Sequence, residues 1–227
     1  MPRVTMDTPD PQWFKEVAAV LDGYLEEVRH LPIFLDAKSG SLSHVKAALF
    51  LIQIGRGIIE PFPRWLGNME KRAGHIRLAA TFLRLNRIEE RKHWEWWVEM
   101  AAHYHVRPED FNSTHAIREG VAGLSKLLDA ASTEFPLAWA MAAVNLTIES
   151  GAAAITSEIA PHVLPTLPAR AKLWIEAHEK GDQDHAADSR ELIKLSAKDD
   201  PVLQRGVKIV VTLTAIRFAE ALRSAYQ

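Results

Sequence analysis

The spacing of apolar residues limits the fold of this chain most, because it follows the period of an α-helix throughout. Near the N-terminus, Trp13, Val17 and Leu21 recur every four residues, and Tyr24 falls on the same side. Residues three or four apart share one face of a helix, whereas a half-buried strand alternates its apolar residues. No alternating run of strand length competes with this pattern, and no internal repeat is visible. The sequence therefore predicts an all-α protein, with residues 1–227 forming a single helical domain.

Proline, glycine and serine residues divide the pattern into seven predicted helices. They are expected over residues 11–29, 42–66, 75–104, 113–131, 135–160, 169–195 and 201–224. The second of them contains Pro61 and Pro63, which predict a bend because proline removes a backbone donor and crowds the preceding turn. Leu31-Pro32 ends the first helix, and the serine- and glycine-containing segment 39–43 supplies a turn and an N-cap for the second.

The composition excludes several classes of protein. The chain has no cysteine, which rules out disulfides, thiolate zinc sites, iron–sulfur clusters and cysteine nucleophiles. Its formal net charge of −2 lacks the basic excess of nucleic-acid-binding proteins. The N-terminus has no apolar core of signal-peptide length, and no run of about eighteen uncharged apolar residues predicts a membrane span. We therefore expect a cytoplasmic protein whose partners are small molecules rather than nucleic acid or membrane.

The sixth predicted helix contains three metal-competent side chains on one narrow stripe: His178, Asp182 and His185. They are spaced by four and three residues, so consecutive members lie one turn apart and can reach the same ion. A polar face near a loop is the simpler explanation, because this stretch is polar in general. The regular spacing of two imidazoles and a carboxylate nevertheless makes it the strongest site signal in the chain.

Two other helices contribute candidate ligands. Glu90 and His93 form a Glu-x-x-His pair on the third predicted helix, a spacing that charged helices also produce by chance. Glu149 lies among residues that are nearly all apolar or small, where an isolated carboxylate is costly unless it is paired or bound to a metal. A structural ion pair or a surface position would also account for it. Glu-x-x-His pairs combined with single carboxylates from other helices are typical of di-iron helical proteins.

The six candidates are too many for one metal centre and divide naturally into two. Glu90, His93 and His178 would bind one iron ion, and a second triplet would bind the other: Glu149, Asp182 and His185. A carboxylate could bridge the two ions. Imidazole and carboxylate ligands suit iron or manganese better than zinc. The sequence thus predicts two ferrous ions with O2 as co-substrate.

The chain resembles the haem-oxygenase-like di-iron oxidases and oxygenases, in the fold group that includes TenA/THI-4 and PqqC proteins. The similar stretches are the proline-bearing break at Leu31 with its Gly-x-Leu-Ser helix start, Glu90-x-x-His93 with its tryptophans, and Asn145 to Gly151. The His178-x3-Asp182-x2-His185 motif is the most specific of them. The resemblance covers most of the chain.

The resemblance implies a seven-helix haem-oxygenase-like (TenA/PqqC-like) bundle, usually a homodimer. It also implies a non-haem di-iron enzyme that activates O2 through a peroxo intermediate. Such an enzyme acts on an amino acid, a fatty acid or a small amine by N-oxygenation, carbon–carbon cleavage or desaturation. Several members carry a glutamate seven residues before the first histidine, and this chain has Asn86 there. The Glu90 spacing is more similar to the fatty-acid decarboxylase variant.

Two alternatives remain open. One is a metal-independent cofactor-biosynthesis enzyme of the PqqC/TenA type, and the other is a non-catalytic ligand-binding helical protein. A TenA-type thiaminase would need a cysteine nucleophile, which this chain lacks. A haem oxygenase would need a proximal histidine and a glycine-rich distal helix, for which the match is thin.

Substrate-binding residues are predicted one turn from the ligands, where Trp94, Trp97 and Trp174 would form walls of a pocket. Each ring could equally be ordinary core packing. Arg56 lies in the apolar second helix and is a candidate anchor for a substrate carboxylate, since a guanidinium binds that group with two hydrogen bonds. A solvated or ion-paired position is the alternative for Arg56.

Overall fold

The described part of the chain folds into helices joined by short turns. The computed structural model describes residues 9–74, 76–112 and 116–227, except for the side chains of 180–183. The helices are α1 (Gln12–Arg29), α2 (Pro32–Ser39), α3 (His44–Ile54), α4 (Phe62–Arg72), α5 (Arg77–His103), α6 (Pro108–Phe111), α7 (Glu119–Glu134), α8 (Leu137–Met141), α9 (Ile148–Val163), α10 (Ala169–Ser196) and α11 (Pro201–Tyr226). These residues contain no strand, and the predicted all-α class is confirmed.

The segment between the first two predicted helices forms an additional helix, α2. Pro32 occupies its first turn, where a missing N–H costs nothing. Gly40 ends it in the left-handed conformation with a φ of 74°, which glycine adopts without strain. The Ser43 side chain then accepts a hydrogen bond from the Lys46 amide and caps α3. The predicted serine cap is therefore present, but the chain before it is helical.

The predicted helix 42–66 is interrupted, as its prolines indicated. A π-helical turn, Gly55–Ile59, continues α3, and Pro61 then precedes α4. Similarly, the predicted helix 135–160 consists of α8, a second π-helical turn at Ala142–Thr147, and α9. Each π turn inserts an extra residue into a helix and changes the direction of the side chains that follow.

The prediction of a helix from Ser113 was wrong at its start. Residues 113–115 lie outside the described residues, and α7 begins only at Glu119. The preceding residue, Arg118, has an extended backbone, and its amide donates to Gln53 Oε1 at 2.7 Å. This bond to α3 holds the chain outside the helical conformation just before α7.

Helix α9 and the residues before it form the centre of the bundle, packed against α10, α2 and α1. The run Leu137–Thr166 is long and apolar enough to cross a membrane by length and composition. However, 78% of its most apolar window is buried inside the protein, as in the core helix of a bundle. Helix α5 packs between α4 and α10, so α5, α9 and α10 meet in the interior.

The outer helix α11 packs against α7 and α1 and closes the bundle. It approaches α8 so closely at Gly206 that a Cβ there would overlap the indole of Trp139. The same indole donates from Nε1 to the Leu203 carbonyl at 2.9 Å. A residue without a side chain is therefore required at this crossing.

Candidate metal centre

Five of the six predicted ligands come together in the interior, where α5, α9 and α10 meet. Glu90 and His93 lie on α5, Glu149 on α9, and His178 and His185 on α10, and all five are buried. Their ligand atoms form two groups, each with all atoms within 4.8 Å of one another. The first group is Glu90, His93 and His178; the second is Glu90, Glu149 and His185. The Asp182 side chain lies outside the described residues, so its role stays a prediction.

The first group is built by two turns of helix that face each other. On α5 the three-residue spacing places His93 Nδ1 at 2.8 Å from Glu90 Oε2. Across the interface the rings of His93 and His178 are 4.4 Å apart. His178 Nδ1 lies 2.6 Å from the Trp174 carbonyl oxygen, one turn earlier on α10. Because a carbonyl can only accept, Nδ1 carries the proton, and Nε2 keeps the lone pair that a metal needs.

The second group is centred on His185, whose two nitrogens each face a carboxylate. Nδ1 lies 3.1 Å from Glu149 Oε2, and Nε2 lies 3.1 Å from Glu89 Oε2. Glu149 belongs to the second group of three candidate ligands, whereas Glu89 faces the other nitrogen of the ring. Metal-bound histidines usually have a carboxylate or carbonyl on their second nitrogen, which fixes the orientation of the ring.

Two buried amides hold the remaining oxygen of Glu149. Asn86 Nδ2 donates to Glu149 Oε1 at 2.7 Å, and Asn145 Nδ2 donates to the same atom at 3.2 Å. Asn145 belongs to the π turn that precedes α9, so the irregular turn presents its amide to the site. These donors fix Oε1 and leave Oε2 directed at His185. Asn86 thus positions a carboxylate on α9, at the place where the resemblance implied a ligand on α5.

The protonation of the site follows from burial and from neighbouring charges. Burial, with the nearby His93 ring, holds the pKa of His178 well below its ordinary value, so this imidazole is neutral. Burial also lowers the pKa of His185, but the surrounding carboxylates, Glu149 foremost, outweigh it and raise this pKa to about 9. Burial raises the pKa of Glu90 against the opposing effect of His93. The site without metal is therefore a network of hydrogen-bonded imidazoles and carboxylates.

The donor set fits a pair of iron ions. It offers imidazole nitrogens and carboxylate oxygens and no thiolate, a combination suited to iron or manganese. Glu90 belongs to both groups, and a carboxylate with two oxygens can serve two ions at once. Glu90 and Glu149 bring two carboxylates into one buried site, and divalent ions would balance their charge.

Aromatic rings surround the ligands. The Trp174 ring stacks on His178 with centroids 3.9 Å apart, and Trp96 stacks on His93 at 5.1 Å. On the outer side, a surface cleft of about 270 Å³ reaches the ligands themselves. Its lining includes His93, His185, Glu89, Lys92 and Trp96. The site is therefore buried but opens to solvent through one cleft.

Of the four predicted substrate-binding residues, two lie beside the site and two do not. Trp174 contacts His178, and Trp97 packs edge-on against Trp174 at 4.7 Å, so both stand beside the site. Trp94 instead packs against Phe111 in a different surface cleft. Arg56 is half-buried in the first π turn and does not line the cleft that reaches the candidate ligands.

Four residues contact the candidate ligands in a role that the sequence did not predict: Glu89, Asn86, Asn145 and Trp96. Asn145 precedes Glu149 by one helical turn, so that spacing was visible in the sequence, whereas Asn86 contacts Glu149 from another helix. Glu89 gave no such signal, because its partner His185 comes from a distant part of the chain.

Comparison with solved structures identifies the fold. A TenA homologue from Pseudomonas syringae pv. tomato superposes with a TM-score of 0.88 and 20% identity, covering 99% of this chain and 98% of that one. A TenA homologue from P. horikoshii gives 0.77 with 13% identity, covering 94% and 98%. A domain of unknown function with a haem-oxygenase-like fold from Shewanella denitrificans gives 0.74 with 14% identity, covering 97% and 93%.

No model of a known protein family matches the chain, and no curated protein matches its sequence. At identities of 20% and below, the structural likeness concerns the fold, and the activity must be argued from the site. The chain therefore has the all-α fold shared by TenA homologues and haem-oxygenase-like proteins.

Proposed function

We propose that the protein is a non-haem di-iron oxidase or oxygenase that uses O2 to oxidise a small organic substrate. The observation that carries this proposal is the buried Glu90, which belongs to two groups of imidazole and carboxylate donors. Glu90, His93 and His178 would bind one iron ion. Glu149 and His185, with Glu90 shared and Asp182 as the predicted additional ligand, would bind the other. When bound, the two ferrous ions supply the electrons and the binding positions that O2 activation needs.

The protein's own groups hold this arrangement in place. The Trp174 carbonyl fixes the tautomer of His178, and the amides of Asn86 and Asn145 fix one oxygen of Glu149. The buried rings of Trp97 and Trp174 keep water from their part of the site, whereas the cleft leaves it access at His93 and His185. The ligands are therefore preorganised, so little reorganisation accompanies metal binding.

Glu89 contacts the His185 ring at Nε2, the nitrogen that faces away from Glu149. Its carboxylate lies 3.1 Å from His185 Nε2, and its side chain is 47% exposed. In the metal-bound protein the same carboxylate would accept the Nε2–H hydrogen bond and orient the ring.

The proposal is tested by anaerobic titration of the metal-free protein with Fe(II), followed by metal analysis and rapid mixing with O2. We expect about two iron ions per chain and an O2-dependent transient in the visible absorbance. His178→Ala should lose one ion and the transient. His162→Ala is the matched control, because His162 is an exposed histidine on α9, and it should behave as the wild type.

Failure to bind iron would overturn the proposal. The metal-independent PqqC/TenA-like enzyme and the ligand-binding helical protein would then become the leading hypotheses. The homodimeric state and the cytoplasmic location stay predictions that size-exclusion chromatography with light scattering and cell fractionation would test.

A further inference from the structure

Three histidine side chains meet at the surface of the bundle and form a surface histidine cluster. His44 is the first residue of α3, His103 is the last residue of α5, and His105 follows two residues later. The ring centroid of His44 lies 5.8 Å from that of His103 and 5.5 Å from that of His105. His103 lies ten residues beyond the candidate ligand His93 on the same helix, which is about 15 Å along the helix axis. The cluster is therefore separate from the candidate metal centre.

The backbone that ends α5 brings His105 to this cluster. The Val106 amide donates to the Ala101 carbonyl and the His105 amide to the Ala102 carbonyl, which are the two hydrogen bonds of a Schellman motif. The motif places His105 in the left-handed region with a φ of 64°, and no other described residue except glycine has a positive φ. Glycine is the usual residue at this position because it adopts the conformation without strain. The strained backbone thus supplies a third imidazole that glycine would lack.

The separation of the rings is close to that of imidazoles bound to one metal ion. Zinc–nitrogen bonds of about 2.0–2.1 Å place the centroids of two rings on a tetrahedral ion roughly 5 Å apart. Both distances from the His44 ring are within about 1 Å of this value. His44 and His105 are exposed and His103 is half-buried, so rotation about side-chain bonds can direct their nitrogens at a common ion.

The chemistry of the cluster favours a different metal from that of the central site. Burial, and then the neighbouring rings of His44 and His105, lowers the pKa of His103, which is therefore neutral at pH 7 and keeps a lone pair for a metal. The three side chains of the cluster offer only imidazole nitrogens, whereas Glu90 and Glu149 provide carboxylate oxygens to the central site. Imidazole sites suit zinc, copper and nickel, and ferrous iron binds to them more weakly than these ions do.

We propose that the surface histidine cluster binds one divalent transition-metal ion, with Zn(II) as the representative, through His44, His103 and His105. The fourth coordination position faces solvent and is open to water. The negative end of the α5 dipole favours a cation at this place. The ion connects the start of α3 to the end of α5, two segments that are far apart in the sequence. Binding to the folded state alone raises the thermal stability of the protein, whether or not the central site binds iron.

Zinc titration of the untagged, full-length, metal-free protein tests this proposal. Competition with a chromophoric chelator gives the number of zinc sites and the affinity of each, so zinc taken up by the central site is counted separately. Loss of a residue that only orients a ligand costs about 10- to 100-fold in affinity, so His44→Ala and His103→Ala should each weaken one site by at least about tenfold. His162→Ala, at an exposed histidine on α9, is the matched control and should bind as the wild type. Identical titrations of wild type and His44→Ala would overturn the proposal.

His105→Gly distinguishes a ligand from a residue that only ends the helix. Glycine relieves the strain at a φ of 64°, so the metal-free variant should have a Tm at least as high as that of the wild type. Zinc should raise the Tm of the wild type and of His162→Ala by more than that of His105→Gly. An equal rise in His105→Gly would show that His105 does not bind the ion and would refute the three-histidine site.

Chemical modification locates the ion in the unmodified sequence. Diethyl pyrocarbonate acylates imidazole nitrogens that are free, and mass spectrometry of peptides identifies each modified histidine. Zinc should protect His44 and His105 and leave His162 reactive. Unchanged modification of His44 and His105 in the presence of saturating zinc would contradict the assignment.

Discussion

Replacing Glu89 isolates the contribution of a carboxylate that contacts His185, a proposed ligand, on the side away from the proposed metal. Its Oε2 lies 3.1 Å from His185 Nε2, on the far side of the ring from Glu149. Loss of such a partner typically weakens metal binding about 10- to 100-fold. Glu89 is 47% exposed, and water can partly replace its carboxylate, so we expect the lower end of this range for Glu89→Ala. That is about tenfold, or about 1.4 kcal/mol.

Glu89→Gln distinguishes orientation from charge. The glutamine amide oxygen can still accept from His185 Nε2–H, so this variant should recover most of the affinity that alanine loses. The assay is competitive titration of Co(II) or Fe(II) against a chelator under anaerobic conditions, with the Co(II) absorption spectrum reporting the geometry of the site. Glu95→Ala, an exposed glutamate on the same helix, is the control and should bind as the wild type.

The reasoning would be refuted by either of two results. Unchanged affinity in Glu89→Ala would mean that the contact with His185 does not orient the ring. Loss of one entire ion in Glu89→Ala, with Glu89→Gln equally defective, would mean that Glu89 is itself a ligand.

Two further predictions concern stability. Gly206→Ala should lower the free energy of unfolding by about 1–3 kcal/mol, because its Cβ would overlap Trp139. Gly23→Ala should raise the free energy of unfolding by about 0.5–1 kcal/mol, because Gly23 lies in α1 with open space around it. Urea denaturation measures both changes. Burial raises the pKa of Asp10, but hydrogen bonds from Lys194 and Arg190 outweigh it and leave this pKa below its ordinary value. Asp10→Asn should therefore lower the free energy of unfolding at pH 7. The difference in this free energy between variant and wild type should shrink as the pH falls below about 4. Denaturation at several pH values would measure it.

The sequence was sufficient to predict where most of the helices lie, because buried faces repeat every three to four residues. It did not predict α2, because a proline at residue 32 is compatible both with a break and with the first turn of a new helix. The two π turns were also invisible, since their apolar residues continue the helical pattern while the hydrogen bonding changes. The start of α7 depended on a contact between Gln53 and Arg118, which are far apart in the chain.

The candidate site also contains residues that the sequence predicts and residues that it does not. Glu90, His93, His178 and His185 carry local spacing signals, and Glu149 is conspicuous as a lone acid in an apolar helix. Asn145, which orients Glu149, lies one helical turn before it, but Asn86 and Glu89 act through contacts between helices, which no local spacing encodes. An apolar cavity of about 120 Å³, lined in part by Trp97 and Trp174, likewise collects residues from six helices, so it could not be read from local spacing.

The most direct test of the central claim is a crystal structure of the protein grown anaerobically with Fe(II), with anomalous scattering measured at the iron absorption edge. We predict two peaks about 3.5–4 Å apart, both at bonding distance from the Glu90 carboxylate. One peak should also contact His93 and His178, and the other Glu149 and His185. A map with no peak at Glu90 would contradict the di-iron account.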